Sequence, residues 1–242
     1  MTAAEKSRQD SQPAFVLHGY PYRETSLVLE VFTRHFGRVA LVARGARRPR
    51  SALRGVLLAF QPLLLSWAGK SELRTLHKAE WQGGLPQLKG IALLCGFYLN
   101  ELIIKLLPRD DPHEQLYQTY YQTLHTLSNG GEHTVTLRRF EKQLLKELGY
   151  ALTLDHDVAS GDAIQPGRNY QYLIERGPVQ SGGGDENRLE LTGQTLLDMA
   201  RDNYSNPLTM QQSKALMRVL INHYLGNQSL NTRQLLKDLQ QL

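Results

Sequence analysis

The spacing of the hydrophobic residues changes once along this 242-residue chain, at the glycine pair Gly83-Gly84. Before this point, short apolar runs alternate with polar residues and are separated by turn residues, which is typical of strands in a small antiparallel barrel or sandwich. After it, apolar residues recur every three or four positions, as in amphipathic helices. The sequence therefore predicts an α+β protein with a β-rich N-terminal domain followed by a helical domain.

Five strands are predicted in the N-terminal domain, which covers residues 14–83. The clearest pair is a hairpin that turns through Arg34-His35-Phe36-Gly37, and Pro62 indicates an edge position or a bulge. Five strands in about 65 residues fit a partly open five-stranded OB-fold barrel. An SH3-like barrel is the alternative. The five runs are Phe15–Leu17, Ser26–Thr33, Gly37–Ala43, Val56–Trp67 and Leu73–Ala79.

The helical domain is predicted to cover residues 84–242. Its first helix, Leu88 to Leu107, is apolar on most faces, so we expect it at the centre of a bundle with the next two helices packed on it. Residues 155–188 are rich in glycine and proline and predict an irregular insertion or a small ribbon. The polar residues 1–13 predict a flexible N-terminus. The later helices are Glu114–Leu127, Val135–Leu148, one capped by Thr192, one begun by a Thr209/Gln212 capping box, and one capped by Thr232.

Several functional classes are disfavoured by the composition. Polar residues interrupt the longest apolar run, so no membrane span is expected, and the N-terminus has no apolar segment that could serve as a secretory signal. We therefore expect a cytoplasmic location.

The single cysteine, Cys95, is expected to be a core residue. His156 lies between Asp155 and Asp157 without a second histidine or cysteine pair that would complete a metal site, so we expect neither metal nor cofactor. Phosphate loops, nucleophile elbows and paired nuclease carboxylates are absent, so we expect no enzymatic activity.

The positive charge is concentrated in one segment. The chain carries +5 in total, but residues 31–71 contain no Asp or Glu and carry +8, so the remaining residues sum to −3. A field concentrated in this way attracts polyanions to one face of a molecule. The segment from Arg34 to Arg54 contains seven arginines, whose planar guanidinium groups can hydrogen-bond two phosphate oxygens at once. We expect this segment to bind a nucleic-acid backbone, and a merely solvated basic loop is the alternative.

The predicted nucleic-acid contacts combine these cations with aromatic residues. Tyr20 and Tyr22, in a Gly-Tyr-Pro-Tyr segment read as a loop, are expected to stack on bases, whereas Phe36, Phe60 and Trp67 are expected mostly in the core. The predicted cationic contacts are Arg34, Arg38, Arg44, Arg47, Arg48, Arg50, Arg54, Lys70 and Arg74. Two other classes remain as alternatives: an RNA-binding or ribosome-associated assembly protein that uses the same barrel, and a metal-dependent hydrolase that acts on nucleic acid.

The order of several motifs resembles the RecO family of bacterial DNA repair proteins. In the barrel these are Arg23-Glu24-Thr25-Ser26-Leu27, Gly37-Arg38-Val39 and Val42-Ala43-Arg44-Gly45-Ala46-Arg47. In the helical domain they are Gly96-Phe97-Tyr98-Leu99-Asn100-Glu101-Leu102 and Leu137-Arg138-Arg139-Phe140-Glu141. The resemblance covers Phe15 to Tyr150 well and the later helices loosely.

The resemblance implies an OB-fold domain followed by a helical domain, acting in the RecF pathway of recombinational repair. It implies binding of single- and double-stranded DNA, annealing of strands covered by single-stranded-DNA-binding protein, and assistance of RecA loading together with RecR, without nucleotide hydrolysis. A nucleoid-associated monomer is expected. Many family members carry a four-cysteine zinc site in the segment corresponding to residues 155–188. This segment has no cysteine here, so a metal-free version is expected.

The resemblance also suggests roles for individual residues. Arg38, Arg44, Arg47, Arg48 and Arg50 are expected to contact DNA. Arg138 and Arg139 resemble the place where the family receives the acidic C-terminal tail of single-stranded-DNA-binding protein. A guanidinium could bind the terminal carboxylate while Leu137 and Phe140 accept a phenyl ring. The alternative is that these arginines pair with Glu141 or another carboxylate of the chain.

Overall fold

The computed structural model describes residues 8–182 and 189–240, with side chains given up to Leu235. Residues 1–7 of the predicted N-terminus, and residues 183–188 at the end of the predicted insertion, lie outside the described residues. The chain divides into two compact units. The first contains the residues up to Gly131 and those from Leu230 onward, and the second is Glu132–Ser229.

The secondary-structure elements follow the predicted change from strands to helices. In chain order they are β1 (Arg8–Tyr22), β2 (Ser26–Thr33), β3 (Gly37–Ala43), α1 (Leu53–Val56), β4 (Leu63–Ala68), β5 (Leu73–Trp81), α2 (Gly90–Leu106), α3 (Glu114–Ser128), α4 (His133–Glu147), β6 (Asn169–Leu173), β7 (Gly177–Gln180), β8 (Glu190–Thr192), α5 (Gly193–Ala200), α6 (Pro207–Leu225) and α7 (Asn231–Gln240). None of the helices within the described ranges is long and apolar enough to cross a membrane.

The five strands of the first unit form a closed barrel in the order β1-β2-β3-β5-β4. The long strand β1 makes closure possible because its first half pairs with β4 and its second half pairs with β2. The β3–β5 pair is parallel, and the other pairs are antiparallel. This arrangement confirms the predicted five-stranded OB-fold. The hairpin between β2 and β3 is also confirmed, with Thr33 opposite Gly37.

The barrel differs from the predicted one at two places. Strand β1 begins at Arg8, where a flexible segment up to residue 13 is predicted, because the backbone of residues 8–14 pairs with β4. The hydrophobic pattern of a sequence reports side chains, whereas this pairing is made by backbone groups. The pattern therefore does not reveal the start of β1. The predicted run from Val56 to Trp67 is a strand only from Leu63 to Ala68, since its first residue still belongs to the short helix α1.

In the first unit, helix α2 packs against β1, α3 and α7. The buried Asn100 of α2 donates its side-chain amide to the carbonyl of Leu17 in β1, at 2.8 Å. The hydroxyl of Tyr120 in α3 donates to the amide oxygen of Asn100, at 2.5 Å. These two bonds satisfy a polar side chain in the interior, which removes the cost of burying it unpaired. They also fix α2 against both β1 and α3.

In the second unit, α4 packs against α6, and α6 packs against α5. The helix after Glu114–Leu127, α4, belongs to the second unit, so its predicted packing on α2 stays a prediction. The predicted insertion contributes β6 and β7 to an antiparallel sheet of order β7-β6-β8, whose third strand follows the insertion. Asp157 anchors the preceding loop, because its carboxylate accepts hydrogen bonds from the backbone N–H groups of Ala159, Ser160 and Gln180.

One of the three predicted helix caps is confirmed. The Thr192 hydroxyl caps α5 by accepting from the N–H of Thr195. The predicted Thr209/Gln212 capping box is wrong, because α6 begins at Pro207 and Asn206 is its cap. Thr209 is buried and donates to Asp198 at 2.8 Å. At the start of α7, the Thr232 hydroxyl instead donates to Glu101, whose carboxylate accepts from the first backbone N–H groups of α7.

Candidate nucleic-acid interface

The segment that joins β3 to α1 is built from consecutive tight turns. The backbone N–H of Arg48 donates to the carbonyl of Gly45, at 3.1 Å, and that of Ser51 donates to the carbonyl of Arg48, at 3.0 Å. Gly45 has a φ of +67°, a conformation that glycine adopts without strain. The N–H of Arg47 also donates to the carbonyl of Thr25, at 2.8 Å, which joins this segment to the β1–β2 turn. We call residues 44–54 the arginine loop.

All five arginines of the arginine loop are exposed: Arg44, Arg47, Arg48, Arg50 and Arg54. None of them forms an ion pair with a carboxylate in the described part of the chain. Arg47 alone makes side-chain hydrogen bonds, and these are long ones of 3.4 and 3.5 Å to backbone carbonyls. These guanidinium groups can therefore bind phosphates without first breaking an internal ion pair.

Arg23 extends this basic surface and is not among the predicted contacts. It lies exposed in the β1–β2 turn, and its guanidinium is 5.2 Å from the centre of the Tyr22 ring. The predicted hairpin already places the start of β2 beside the end of β3, and this pairing is the signal that could have identified it. Glu24 is exposed on the same turn and partly offsets the added charge.

Three other predicted contacts are occupied by carboxylates. Arg34 pairs with Glu114 at 3.5 Å, and Arg74 pairs with Asp110 at 2.7 Å. Arg38 pairs with Glu30 at 2.8 Å, donates to the carbonyl of Leu107 and is only 14% exposed. The acid-free composition around Arg34 to Arg54 predicts that the seven arginines there have no protein partners, and for Arg34 and Arg38 that prediction is wrong. Their acidic partners lie outside the acid-free segment 31–71.

Two of the paired arginines, Arg38 and Arg34, are also distant from the arginine loop, whereas Arg74 lies opposite Leu41, three residues before Arg44. Arg38 and Arg44 lie six residues apart at the two ends of β3, which is about 20 Å at roughly 3.3 Å per residue. Arg34 lies in the β2–β3 turn beyond Arg38, and the N–H of Asp110, the partner of Arg74, donates to the carbonyl of Arg38. The predicted arginines therefore divide into three that pair with carboxylates and five, in the arginine loop, that form no ion pair with a described carboxylate.

The paired group is centred on Glu30, which is 3% exposed. Its carboxylate lies between the guanidinium groups of Arg38 and Arg109. The hydrogen bond to Glu30 raises the pKa of Arg109 above its usual value. Gly37, at the end of the β2–β3 turn, has a φ of +64°. A Cβ added there would lie 1.9 Å from the carbonyl oxygen of Asp111. This cluster fastens the α2–α3 connection to the barrel and is structural.

The remaining predicted contacts of the barrel have different settings. Lys70 is exposed in the β4–β5 turn. Tyr20 is 46% exposed, and its ring centre is 4.4 Å from that of His18. Tyr22 is half-buried. The Gly-Tyr-Pro-Tyr segment is not a loop but the end of β1, where Tyr20 lies opposite Val28. Trp67 and Phe60 are buried and Phe36 is half-buried against Trp67, consistent with core positions.

The predicted tail-binding residues of the second unit are mostly enclosed. Phe140 is fully buried, Leu137 is half-buried, and the buried Arg138 pairs with Glu141 at 2.6 Å. The alternative of an internal ion pair thus describes Arg138. Arg139 is exposed and donates to the carbonyl of Asp202, at 3.1 Å. An incoming carboxylate can reach Arg139 but not Arg138 without rearrangement.

Tyr204 lies beside these charged groups and is 4% exposed. Burial, together with the nearby charge of Asp202, raises the pKa of Tyr204 to about 12. Its hydroxyl and the Nε of Arg138 are both buried and have no hydrogen-bond partner among the described residues. Polar atoms of this kind are usually satisfied by ordered water.

No three His, Cys, Asp or Glu side chains come together as a metal site within residues 8–182 and 189–240. His156 pairs with the exposed Asp155 at 2.7 Å. A groove of about 400 Å³ in the second unit is lined by tyrosine and leucine side chains together with Thr153, Glu175 and Arg176, and Tyr150 stacks on Tyr224 there at 4.0 Å.

Comparison with known proteins identifies both parts of the chain. A model described as "Recombination protein O N terminal" matches residues 8–84, and one described as "Recombination protein O C terminal" matches residues 87–234. Curated proteins called DNA repair protein RecO are similar over nearly their whole length. The protein of Nitrosospira multiformis is 62% identical over 98% of this chain and 99% of the relative. That of Aromatoleum aromaticum is 55% identical over 99% of this chain and all of the relative.

The matches extend over the barrel that carries the arginine loop and over the helical part. The chain belongs to the RecO family of DNA repair proteins.

Proposed function

We propose that this protein binds DNA as a recombination mediator and promotes annealing of complementary single strands. The observation that carries the proposal is the arginine loop: five exposed guanidinium groups on an OB-fold barrel, without ion pairs to described carboxylates. Each phosphate contact releases condensed counterions, so the affinity is independent of sequence and falls steeply with salt. A basic surface that neutralises two backbones also lowers their mutual repulsion while the base edges stay free to pair.

The protein acts without catalysis in this proposal. Annealing needs charge neutralisation and proximity, neither of which consumes a nucleotide. We further propose that it works with RecR to assist RecA loading on strands covered by single-stranded-DNA-binding protein, as the family resemblance implies. We also propose that the protein is associated with the nucleoid, because it binds DNA.

Contact with the acidic tail of single-stranded-DNA-binding protein is proposed at Arg139 rather than at Arg138. Arg139 is exposed, and Lys142 one turn further along α4 adds a second cation, although it is already paired with Asp202 at 2.6 Å. The test is binding of a peptide with the tail sequence to variants of each arginine. We expect R139A to weaken binding about tenfold, in keeping with a charge-assisted hydrogen bond. Unchanged binding by R139A would exclude this site.

The DNA proposal is tested with two variants of equal charge. R44Q/R48Q removes two arginines that have no ion pair to a described carboxylate, and R34Q/R74Q removes two that have one. Each lowers the net charge from +5 to +3. We expect R44Q/R48Q to slow annealing and weaken DNA binding at low salt, while R34Q/R74Q stays close to the wild type. Equal losses in both variants would refute the assigned surface.

RNA and DNA oligonucleotides of one sequence should be compared in the same assay. A clear preference for RNA would instead support an assembly factor that acts on RNA.

A further inference from the structure

Trp81, at the end of β5, exposes an unusual amount of aromatic surface. It is 61% exposed, more than Tyr20 at 46% or Phe97 at 41% in the same unit. The other tryptophan of the chain, Trp67, is 1% exposed in the barrel core. A tryptophan side chain carries a large apolar ring whose burial is strongly favourable, so an exposed one is well suited to binding.

The Trp81 ring is held in place rather than free to rotate. Its Nε1–H donates to the side-chain oxygen of Gln61, at 3.1 Å. Gln61 is itself 6% exposed and donates its amide to the carbonyl of Leu85, at 3.2 Å. The ring also lies against Gly83, whose φ is +73° and where an added Cβ would be 3.5 Å from the ring. A ring fixed in this way loses little conformational entropy when a ligand stacks on it.

Trp81 lies toward the same end of the barrel as the arginine loop. Strands β3 and β5 are parallel, with Val42 opposite Thr75, so continuing the register places Arg44 beside His77. Trp81 is four residues further along β5, about 13 Å at roughly 3.3 Å per residue. Helix α1, which begins within the arginine loop, contacts β5. An OB-fold covers about 4–16 nucleotides of a single strand. One bound strand is therefore long enough to reach from the arginine loop to Trp81.

We propose that Trp81 stacks on a base of single-stranded DNA whose phosphates are bound by the arginine loop. The inference rests on the proposed DNA-binding function and adds a selectivity to it. Guanidinium groups bind the backbone of single and double strands alike, whereas an exposed indole needs an unpaired base with an accessible face. Trp81 therefore gives this end of the barrel a preference for single strands.

Fluorescence provides the first test, because only one of the two tryptophans is exposed. We expect a single-stranded oligonucleotide of about 12 thymidines to quench the Trp81 emission on binding, since a stacked base contacts the indole directly. A duplex of the same length should bind with much less quenching. Saturation with the single strand without any change in emission would overturn the proposal.

Substitution provides the second test. We expect W81A to lose about 5- to 150-fold in affinity for the 12-mer, the range for one stacked base, and W81F to keep part of it. I91A removes a 62% exposed apolar side chain at the start of α2 and should bind as the wild type does. An oligonucleotide of equal length made of abasic sites should bind W81A and the wild type alike, because its phosphates remain and its bases do not.

The outcomes separate this inference from the function on which it rests. If R44Q/R48Q weakens binding of the 12-mer and W81A does not, the DNA surface stands and the stacking role of Trp81 is wrong. If the wild type fails to bind the 12-mer even at low salt, both the proposed function and this inference fall.

Discussion

Replacing Glu30 by alanine tests whether the buried ion cluster holds the barrel to the α2–α3 connection. Glu30 is 3% exposed and lies between Arg38, which is 14% exposed, and Arg109, which is 38% exposed. Removing one partner of a buried ion pair costs about 3–5 kcal/mol because the other charge stays buried without compensation. Water can reach Arg109, so we expect E30A to lose about 3 kcal/mol of unfolding free energy, the lower end of that range.

Urea unfolding followed by tryptophan fluorescence measures this change, because both tryptophans lie in the first unit. The control is E114A, which breaks a pair whose side chains are 57% and 50% exposed and should cost about 1 kcal/mol or less. The apolar variant E30M/R38M should recover a large part of the loss. If E30A is no less stable than E114A, the cluster does not stabilise the barrel and the structural role of Arg38 is wrong.

Of three further predictions, two concern single positions and the third concerns a structural metal. G37A should lose more than about 2 kcal/mol in the same urea experiment, because its φ is +64° and its Cβ would overlap the carbonyl of Asp111; wild-type stability would contradict that close approach. The pKa of Asp157 is lowered: burial would raise it, but the backbone donors Gln180, Ala159 and Ser160 outweigh burial. Its stabilising effect is therefore present above the ordinary aspartate pKa and is lost as the pH falls through the lowered value. The protection of the Gln180 amide against hydrogen exchange, relative to an unprotected amide at the same pH, should fall below about pH 4 in the wild type and be low at every pH in D157A; protection that changes neither with pH nor in D157A would refute the role of Asp157 as an anchor. Excess EDTA should leave the melting temperature of the protein unchanged, and a clear decrease would reveal a structural metal.

Much of the barrel could be predicted because its strands carry their own local signals. The β2–β3 hairpin follows from alternating apolar residues on both sides of a four-residue turn, and the structure reproduces it from Ser26 to Ala43. The start of β1 could not be predicted in the same way, because residues 8–13 are polar and are ordered by pairing with β4. Similarly, Thr209 and Gln212 match a capping box in sequence but bond to residues of β8 and α5.

In the candidate site, too, features formed by neighbouring residues could be predicted, whereas contacts between residues far apart in the sequence could not. The arginine loop could be predicted because its charge and its small residues are adjacent in sequence. The pairing of Arg34 and Arg74 could not, since Glu114 and Asp110 lie 80 and 36 positions away along the chain. Trp81 shares its face of β5 with Ala79, which packs on the barrel core, so the alternation alone would place it inward; at the end of the strand, however, the ring is 61% exposed.

The central claim is that DNA binds at the arginine loop and not at the paired arginines near Glu30. The most direct test is the salt dependence of single-strand affinity for R44Q/R48Q, R34Q/R74Q and the wild type. Each lost phosphate contact reduces the slope of log affinity against log salt by about 0.7. We predict that R44Q/R48Q has a slope smaller by about 1.4, while R34Q/R74Q keeps the wild-type slope. A reduced slope in R34Q/R74Q with an unchanged slope in R44Q/R48Q would contradict the account.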